Sequence, residues 1–472
     1  MSSSPQRAVR VGLIVLAAGA GTRMRSMVPK PLHTVAGIPM VSRVLRAGDG
    51  ARADTLVLVV GSETVDLAQQ IAGGDNIITV VQDPPRGTGD AVKRALALLP
   101  EVDWFVVLYS DHPLLEPSTV GKLLEGVRAS GARVAILSAT VQDPGGYGRI
   151  VRDGEQRPVG IAERRDDDIA MRIGRTEINS GLMALDADWA RRALDQVEPS
   201  GATGEFYLTD LVSIAVAGAR DGEPWPVAVV AGSPDDALGV NDRADLAHAE
   251  SRAWERKRQR LMREGVTMRL PETITIDEDV QIGSDTVILP HSQLFGPTVV
   301  GSGCVIGPST VIVNSRLGDR VIVRSSTVED SFITDDADVG PYSHVRAGSE
   351  IGPRAHIGNF AEIKNARLGS GVKVGHFSYI GDAAVGAETN IGAGTVTANF
   401  DGAQKHQTAI GARAFIGSDT ILRAPISIGD DARTGAGSVV TRDVPSGATV
   451  VGVPARQIRR APAAADQNAK ED

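Results

Sequence analysis

Apolar residues between Ile357 and Asp382 recur with a period of about six: Ile357, Ile363, Leu368, Val374 and Ile380, each except Ile363 followed by Gly. Helices repeat their apolar positions at three and four residues and strands at two, so this period fits neither alone. It predicts a parallel β-helix, in which each short strand points one aliphatic residue inward and the next position turns a corner. A looser ladder extends from about Val280 to Val440, through Ile282-Gly283, Val300-Gly301, Ile306-Gly307, Leu317-Gly318 and Val339-Gly340.

The first half has a different rhythm. Val9–Leu16 (VRVGLIVL) is a continuous apolar, β-branched run, the pattern of a strand buried on both faces. Thr55–Val60, Ile77–Val81 and Trp104–Tyr109 alternate with helical segments, which predicts an α/β fold with an open parallel sheet and ligands beyond the carboxyl ends of its strands. From Asp242 to Gly265 mixed charges run without internal Gly or Pro, predicting one helix of roughly 20 residues and about 30 Å, capped by Gly265. The layout is therefore 1–241, a linker helix 242–265, a β-helix 266–460 and a disordered tail 461–472.

Composition agrees with two large domains in 472 residues. With 53 Gly and 4% aromatic residues, the solenoid core must be built from small aliphatic side chains. A net charge of −9 with both signs interspersed argues against nucleic acid as a partner, leaving local basic residues to bind any anionic substrate. The single Cys304 excludes an intrachain disulfide and fits a reducing compartment. Arg7 and Arg10 before Val11–Ala20 imitate a secretory leader, but a buried strand ending in a Gly loop explains the pattern better. No run approaches the roughly 20 apolar residues of a membrane span, so the expectation is a soluble cytoplasmic protein.

Candidate chemistry follows the strands. After the first comes Ala17-Ala18-Gly19-Ala20-Gly21-Thr22-Arg23-Met24, where small residues allow backbone N–H groups to meet phosphate oxygens and Arg23 and Lys30 can neutralise charge. Met24 breaks a dinucleotide fingerprint, and no Gly-Lys-Ser/Thr makes a Walker loop. Asp111, after Trp104–Tyr109, is either a helix cap or the hard oxygen ligand that Mg²⁺ requires. The turn Gln82–Ala91 could grip a base edge. Gly146-Tyr147-Gly148-Arg149-Ile150, Glu163 and Glu177-Ile178-Asn179-Ser180-Gly181 place short polar side chains in Gly-rich loops, which suits hydroxyl recognition. On the ladder, His376 lies off the inward register, either a site residue or a surface imidazole without a role.

In order, LAAGAGTRM, Lys30-Pro31-Leu32-His33, RGTG, YSDHPLL, GYGRI, EINSG, GEFYLTD, Gly239-Val240-Asn241-Asp242 and the hexapeptide ladder resemble the bacterial bifunctional N-acetylglucosamine-1-phosphate uridyltransferases/glucosamine-1-phosphate acetyltransferases, over about Val11 to Arg456. The resemblance implies a Rossmann-like nucleotidyltransferase domain, a linker helix and a left-handed parallel β-helix that trimerises. It places Leu16, Ala17, Ala18, Gly19, Arg23 and Lys30 on the phosphates of UTP, and Gln82, Gly87 and Thr88 on uracil. It places Gly148, Glu163 and Asn179 on N-acetylglucosamine 1-phosphate, with Tyr109 in the same site and Asp111 and Asn241 as Mg²⁺ ligands. In the second domain it implies Arg346 and Lys364 on the phosphate of glucosamine 1-phosphate, Tyr379 and Asn390 on its sugar, and His376 as general base, a task suited to an imidazole. Ala393, Asn399, Phe400, Ser418, Ala436 and Arg456 fall near acetyl-CoA.

Four positions depart from the family pattern: Ser110, Asp90 in place of a common His and adding negative charge near the nucleotide, Phe400 in place of a Tyr, and Gly452 in place of an Arg. Two enzyme alternatives stand beside the bifunctional reading, and a purely structural assembly scaffold, against which the phosphate loop speaks, is a third option. One is a sugar-1-phosphate nucleotidyltransferase whose β-helix only oligomerises, against which Lys364, His376, Tyr379 and Asn390 speak together. The other is a metal β-helix using His344, His356 and His376, whose spacings do not match whole coils of about 18 residues.

Overall fold

The computed structural model describes residues 9–19, 21–71, 77–99, 101–163 and 174–459. The tail expected over 461–472 lies outside them. Contacts divide the chain into two compact units, Met1–Ala253 and Trp254–Asp472.

The first unit contains β1 (Val11–Ala17), a small hairpin of β2 (Thr34–Val35) and β3 (Ile38–Pro39), then β4 (Thr55–Val60), β5 (Ile78–Val81), β6 (Trp104–Tyr109), β7 (Val134–Thr140), β8 (Gly148–Arg152), β9 (Pro158–Ala162), β10 (Glu177–Asp186) and β11 (Val227–Ala231). The main sheet runs β11-β7-β10-β6-β1-β4-β5, with β8 and β9 branching from β10. Every residue of β1 is buried. Leu13 and Val15 enter one core with Leu58 and Val106, while Ile14 and Leu16 enter the opposite core with Val57 and Val107. A central strand covered on both faces has no polar side to show, hence the unbroken apolar run.

The sheet is not wholly parallel. β10 runs antiparallel between β6 and β7 and also pairs β8. The segments Glu177–Gly181 and Gly148–Ile150, expected as polar loops, are strand residues, with Asn179 paired to Gly148. They resemble loops in sequence because a strand that opens onto a ligand site carries short side chains. A register shift between Asn179 and Met183 is accommodated by Gly181, whose φ of 87° leaves the Tyr109 ring directly beneath it.

The second unit is the expected parallel β-helix: three sheets of 12, 10 and 9 short strands, one from each sheet per coil. Its core is a column of aliphatic side chains, among them Ile288, Ile306, Val323, Val339, Ile357, Val374, Ile391 and Ile416. Val374 lies above Ile357 and below Ile391. One coil is longer: Ile391 pairs with Ile416, and the extra residues form a loop closed by a Phe400–Lys405 bridge.

The helix Arg243–Arg263 begins at Asp242, whose Oδ1 accepts from the backbone N–H of Ala244 (2.8 Å) and Asp245 (3.0 Å). Within the first unit Ala249 and Ala253 are buried and Arg252 binds Asp235 at 3.0 Å. Within the second, Leu261 joins the β-helix core and Lys257 Nζ donates to the carbonyl of Glu278 at 2.7 Å.

Candidate active sites

Two clefts open at the carboxyl ends of β1 and β6. The first, about 280 Å³, is lined by Leu16, Ala17, Ala18, Gly19, Lys30, Gln82, Gly87 and Thr88, with Tyr109 and Asp111 at its inner end. The second, about 410 Å³, is lined by Gly148, Glu163, Asn179 and Asn241, and again by Thr88, Tyr109 and Asp111. Asp111 therefore belongs to both.

At this junction Lys30 Nζ donates to Asp111 Oδ2 at 2.5 Å, and His112 Nδ1 lies 3.0 Å from Asp111 Oδ1. Burial opposes ionisation of Asp111, but the hydrogen bonds and charges of His112 and Lys30 outweigh it and hold the carboxyl well below its ordinary range. Burial pushes the Tyr109 phenol well upward; Thr88 opposes the shift and the charges of Asp111 and Glu163 add to it. Tyr109 is thus a neutral wall and donor. Arg23 reaches the same place, Nη2 donating to Asn241 Oδ1 at 2.8 Å.

Asp111 and Asn241, the two expected metal ligands, line one cleft and offer a carboxylate and an amide oxygen. Each oxygen already attracts a cationic group, Lys30 or Arg23. Hard oxygen donors of this kind fit Mg²⁺. Among the described residues no three His, Cys, Asp or Glu side chains gather around a metal position, so substrate phosphates and water would complete the coordination. In the second cleft, a Cβ on Gly148 would lie 2.9 Å from Glu163 Oε2 and 2.8 Å from Ile161 Cγ2. Only Gly lets that carboxylate lie over the strand.

In the β-helix the expected residues form three groups. Arg346 and Lys364 are neighbours across adjacent coils, and Arg346 Nη1 donates to Glu362 at 2.6 Å. Lys405, which the sequence reading missed, reaches Lys364 from the extra loop. The positive charge of Lys405 beside it, with that of Arg346 adding to it, depresses the Lys364 ammonium below the usual lysine range. Three converging cations are a ready anion site. The loop is fastened by Asp401, which accepts from the N–H groups of Ala403 and Gln404 at 2.8 Å and from His406 at 2.7 Å. The backbone hydrogen bond from Gln404 and the His406 side chain hold the Asp401 carboxyl well below its usual range.

Tyr379 and Asn399 meet at 3.3 Å, and Asn399 Nδ2 also donates to Asp382 at 2.5 Å. His376, exposed at the end of its strand, is 2.7 Å through Nδ1 from Asn359 Oδ1, its partner one coil below. Asn359 was also missed, because seventeen residues separate it from His376. Asn390 pairs in register with Lys373 on the same sheet.

Ala393, Ser418 and Ala436 stack along one corner: Asp419 N–H donates to Ala393 O and Gly437 N–H to Ser418 O. Phe400 is exposed on the extra loop, and Arg456 opens the terminal antiparallel strand opposite Val451. The structure brings neither side chain against this corner through a hydrogen bond. His344 and His356 bind Glu329 and Asp338, each apart from the His376–Asn359 pair.

Residues 13–203 match the MobA-like NTP transferase domain and residues 407–442 the hexapeptide repeat of succinyl-transferase. The class of protein is therefore a nucleotidyltransferase carrying a hexapeptide-repeat acyltransferase domain, the latter a left-handed parallel β-helix. Full-length relatives narrow it. The Bifunctional protein GlmU of Prochlorococcus marinus is 41% identical over 94% of this chain and 97% of its own. That of Heliobacterium modesticaldum is 43% identical over 93% and 94%, and that of Bifidobacterium longum 41% over 92% and 94%. The chain belongs to the GlmU family of bifunctional enzymes, which combine uridyltransfer with acetyltransfer in the synthesis of UDP-N-acetylglucosamine.

Proposed function

We propose a division of labour between the two units in which each expected site residue keeps the role its position supports. In the first, Leu16–Gly19, Arg23 and Lys30 hold the triphosphate of UTP, Gln82, Gly87 and Thr88 meet uracil, and Gly148, Glu163 and Asn179 hold N-acetylglucosamine 1-phosphate. The sugar phosphate oxygen attacks the α-phosphorus in line and pyrophosphate leaves. Phosphoryl transfer needs placement and cationic stabilisation more than proton transfer, and Tyr109 supplies no base here. Asp111 and Asn241 would hold Mg²⁺, which when bound neutralises phosphate charge and aligns the reacting oxygens. The observation that carries this half is the Lys30–Asp111 pair at the meeting of the two clefts.

In the second unit, Arg346 and Lys364, with Lys405 beside them, hold the phosphate of glucosamine 1-phosphate, and Tyr379 and Asn390 its sugar. Asn359 Oδ1 accepts a hydrogen bond from Nδ1–H of His376, leaving the Nε2 lone pair as base. The amine attacks the thioester carbonyl, its proton passes to Nε2 and the coenzyme A thiolate leaves. Ala393, Ser418 and Ala436 leave a corner bare enough for the pantetheine arm, with Asn399, Phe400 and Arg456 towards its ends. We extend the reading to a homotrimer on the family resemblance. A cytoplasmic setting is supported by the single Cys304, buried and free, which suits a reducing compartment.

The test is product identification after the protein is incubated with glucosamine 1-phosphate, acetyl-CoA, UTP and Mg²⁺. UDP-N-acetylglucosamine, lost from UTP plus N-acetylglucosamine 1-phosphate in Asp111→Ala and from the acetylation step in His376→Ala, supports the assignment; full activity in either variant refutes that half.

A further inference from the structure

We propose that Asp90 is a positioning residue for base selection, holding the Gln82 carboxamide so that its oxygen faces the nucleobase. The inference rests on the reading of Gln82 as a uracil contact. Gln82 follows β5 and is 4% exposed, its remaining surface lining the first cleft. Its Nε2 donates to the Gly87 carbonyl and to Asp90 Oδ2, both at 2.9 Å. A carboxamide nitrogen has two hydrogens, so both are committed and Oε1 is the atom left for a ligand.

Asp90 is itself fixed. It lies in the first turn of the helix Thr88–Leu96 and accepts from Arg94 Nε, one turn on, at 2.9 Å. The negative charge expected near the nucleotide is thus paired within the helix. A carboxylate can only accept. Turning the Gln82 amide over would set Oε1 against both the Asp90 carboxylate and the Gly87 carbonyl, crowding acceptors in a buried place. The orientation is therefore forced, and the cleft presents an acceptor to the base. Uracil offers a donor at N3–H, whereas cytosine offers a lone pair at N3. An acceptor in this position selects the first and repels the second.

Steady-state uridyltransfer by the full chain, with UTP and with CTP, tests this. Asp90→Leu removes the acceptor while keeping the branching at Cγ, and the UTP:CTP ratio of kcat/KM is expected to fall about tenfold, the effect of one hydrogen bond, through KM for UTP more than kcat. Asp90→Asn, whose Oδ1 still accepts, restores most of the preference. Asp90→Ala replaces the Leu variant should circular dichroism show the latter unfolded. An unchanged ratio in the Leu and Ala variants, with a lowered ratio in Gln82→Ala, overturns the role of Asp90 and leaves Gln82 as the base contact. An unchanged ratio in Gln82→Ala overturns the reading of Gln82 and this inference with it. Equal losses in Asp90→Asn and Asp90→Leu also overturn it, since charge rather than the acceptor would then decide.

Discussion

Asn359 accepts from Nδ1 of His376 at 2.7 Å across one coil of the β-helix, which fixes the imidazole tautomer with its basic nitrogen outward. If His376 is the acetyltransferase base, His376→Ala lowers that rate by about 10²- to 10⁴-fold. Asn359→Ala lowers it less, about tenfold, because the ring survives but its orientation is unguided. Asn359→Asp places a carboxylate beside the imidazole and favours its protonated form, so the acid limb of the acetyltransfer pH profile moves upward. Rates from pH 6 to 9 check all three, and a wild-type profile in Asn359→Asp would remove the pair from the mechanism.

The Lys30–Asp111 pair yields a pH-dependent stability. Because the folded state depresses the Asp111 carboxyl, its contribution is present above the unfolded value near pH 4 and is lost as pH falls below that towards the lower folded value. Asp111→Asn is expected to cost about 1.5–3 kcal/mol near pH 7, a gap that narrows in thermal melts once pH drops under about 4. The same variant loses uridyltransfer and keeps acetyltransfer.

Gly148→Ala brings a methyl group against Glu163 and Ile161. Overpacking of this kind costs about 1–3 kcal/mol. Since the displaced group is the proposed sugar contact, KM for N-acetylglucosamine 1-phosphate should rise about tenfold while KM for UTP changes little. Equal effects on both Michaelis constants would place Glu163 outside the sugar site.

Lys405→Ala relieves a repulsion and removes an anion contact at once. Its melting temperature should equal or exceed that of the wild type, and KM for glucosamine 1-phosphate should rise, with a smaller rise for acetyl-CoA. An unaltered KM for glucosamine 1-phosphate would show that Lys405 only happens to stand beside Lys364.

The solenoid was legible because each coil repeats one demand, an aliphatic side chain pointing inward, and β1 was legible because burial on both faces leaves an unbroken apolar run. The direction of β10 was not, since Asn179, Ser180 and Gly181 have the composition of a loop and are held in a strand by β7 and β8 on either side. Asn359, Lys405 and the partners of Asp90 escaped for another reason. Neighbours on stacked coils are fixed by where each coil closes, and one insertion changes that count. Asp90 was read for its charge alone, whereas its geometry depends on the helix that carries Arg94.

The longer coil between Ile391 and Ile416 leaves the stacking above and below it undisturbed, as Ile416 still sits over Ile391 and under Thr434 in the same column. A repeat that tolerates such an excursion separates load from chemistry: the scaffold keeps its pitch while the appended hairpin brings Lys405 to Lys364. Excising the hairpin and rejoining the coil at hexapeptide length should therefore yield a stable, inert solenoid, and transplanting it onto another hexapeptide scaffold would carry a cation to the corresponding edge.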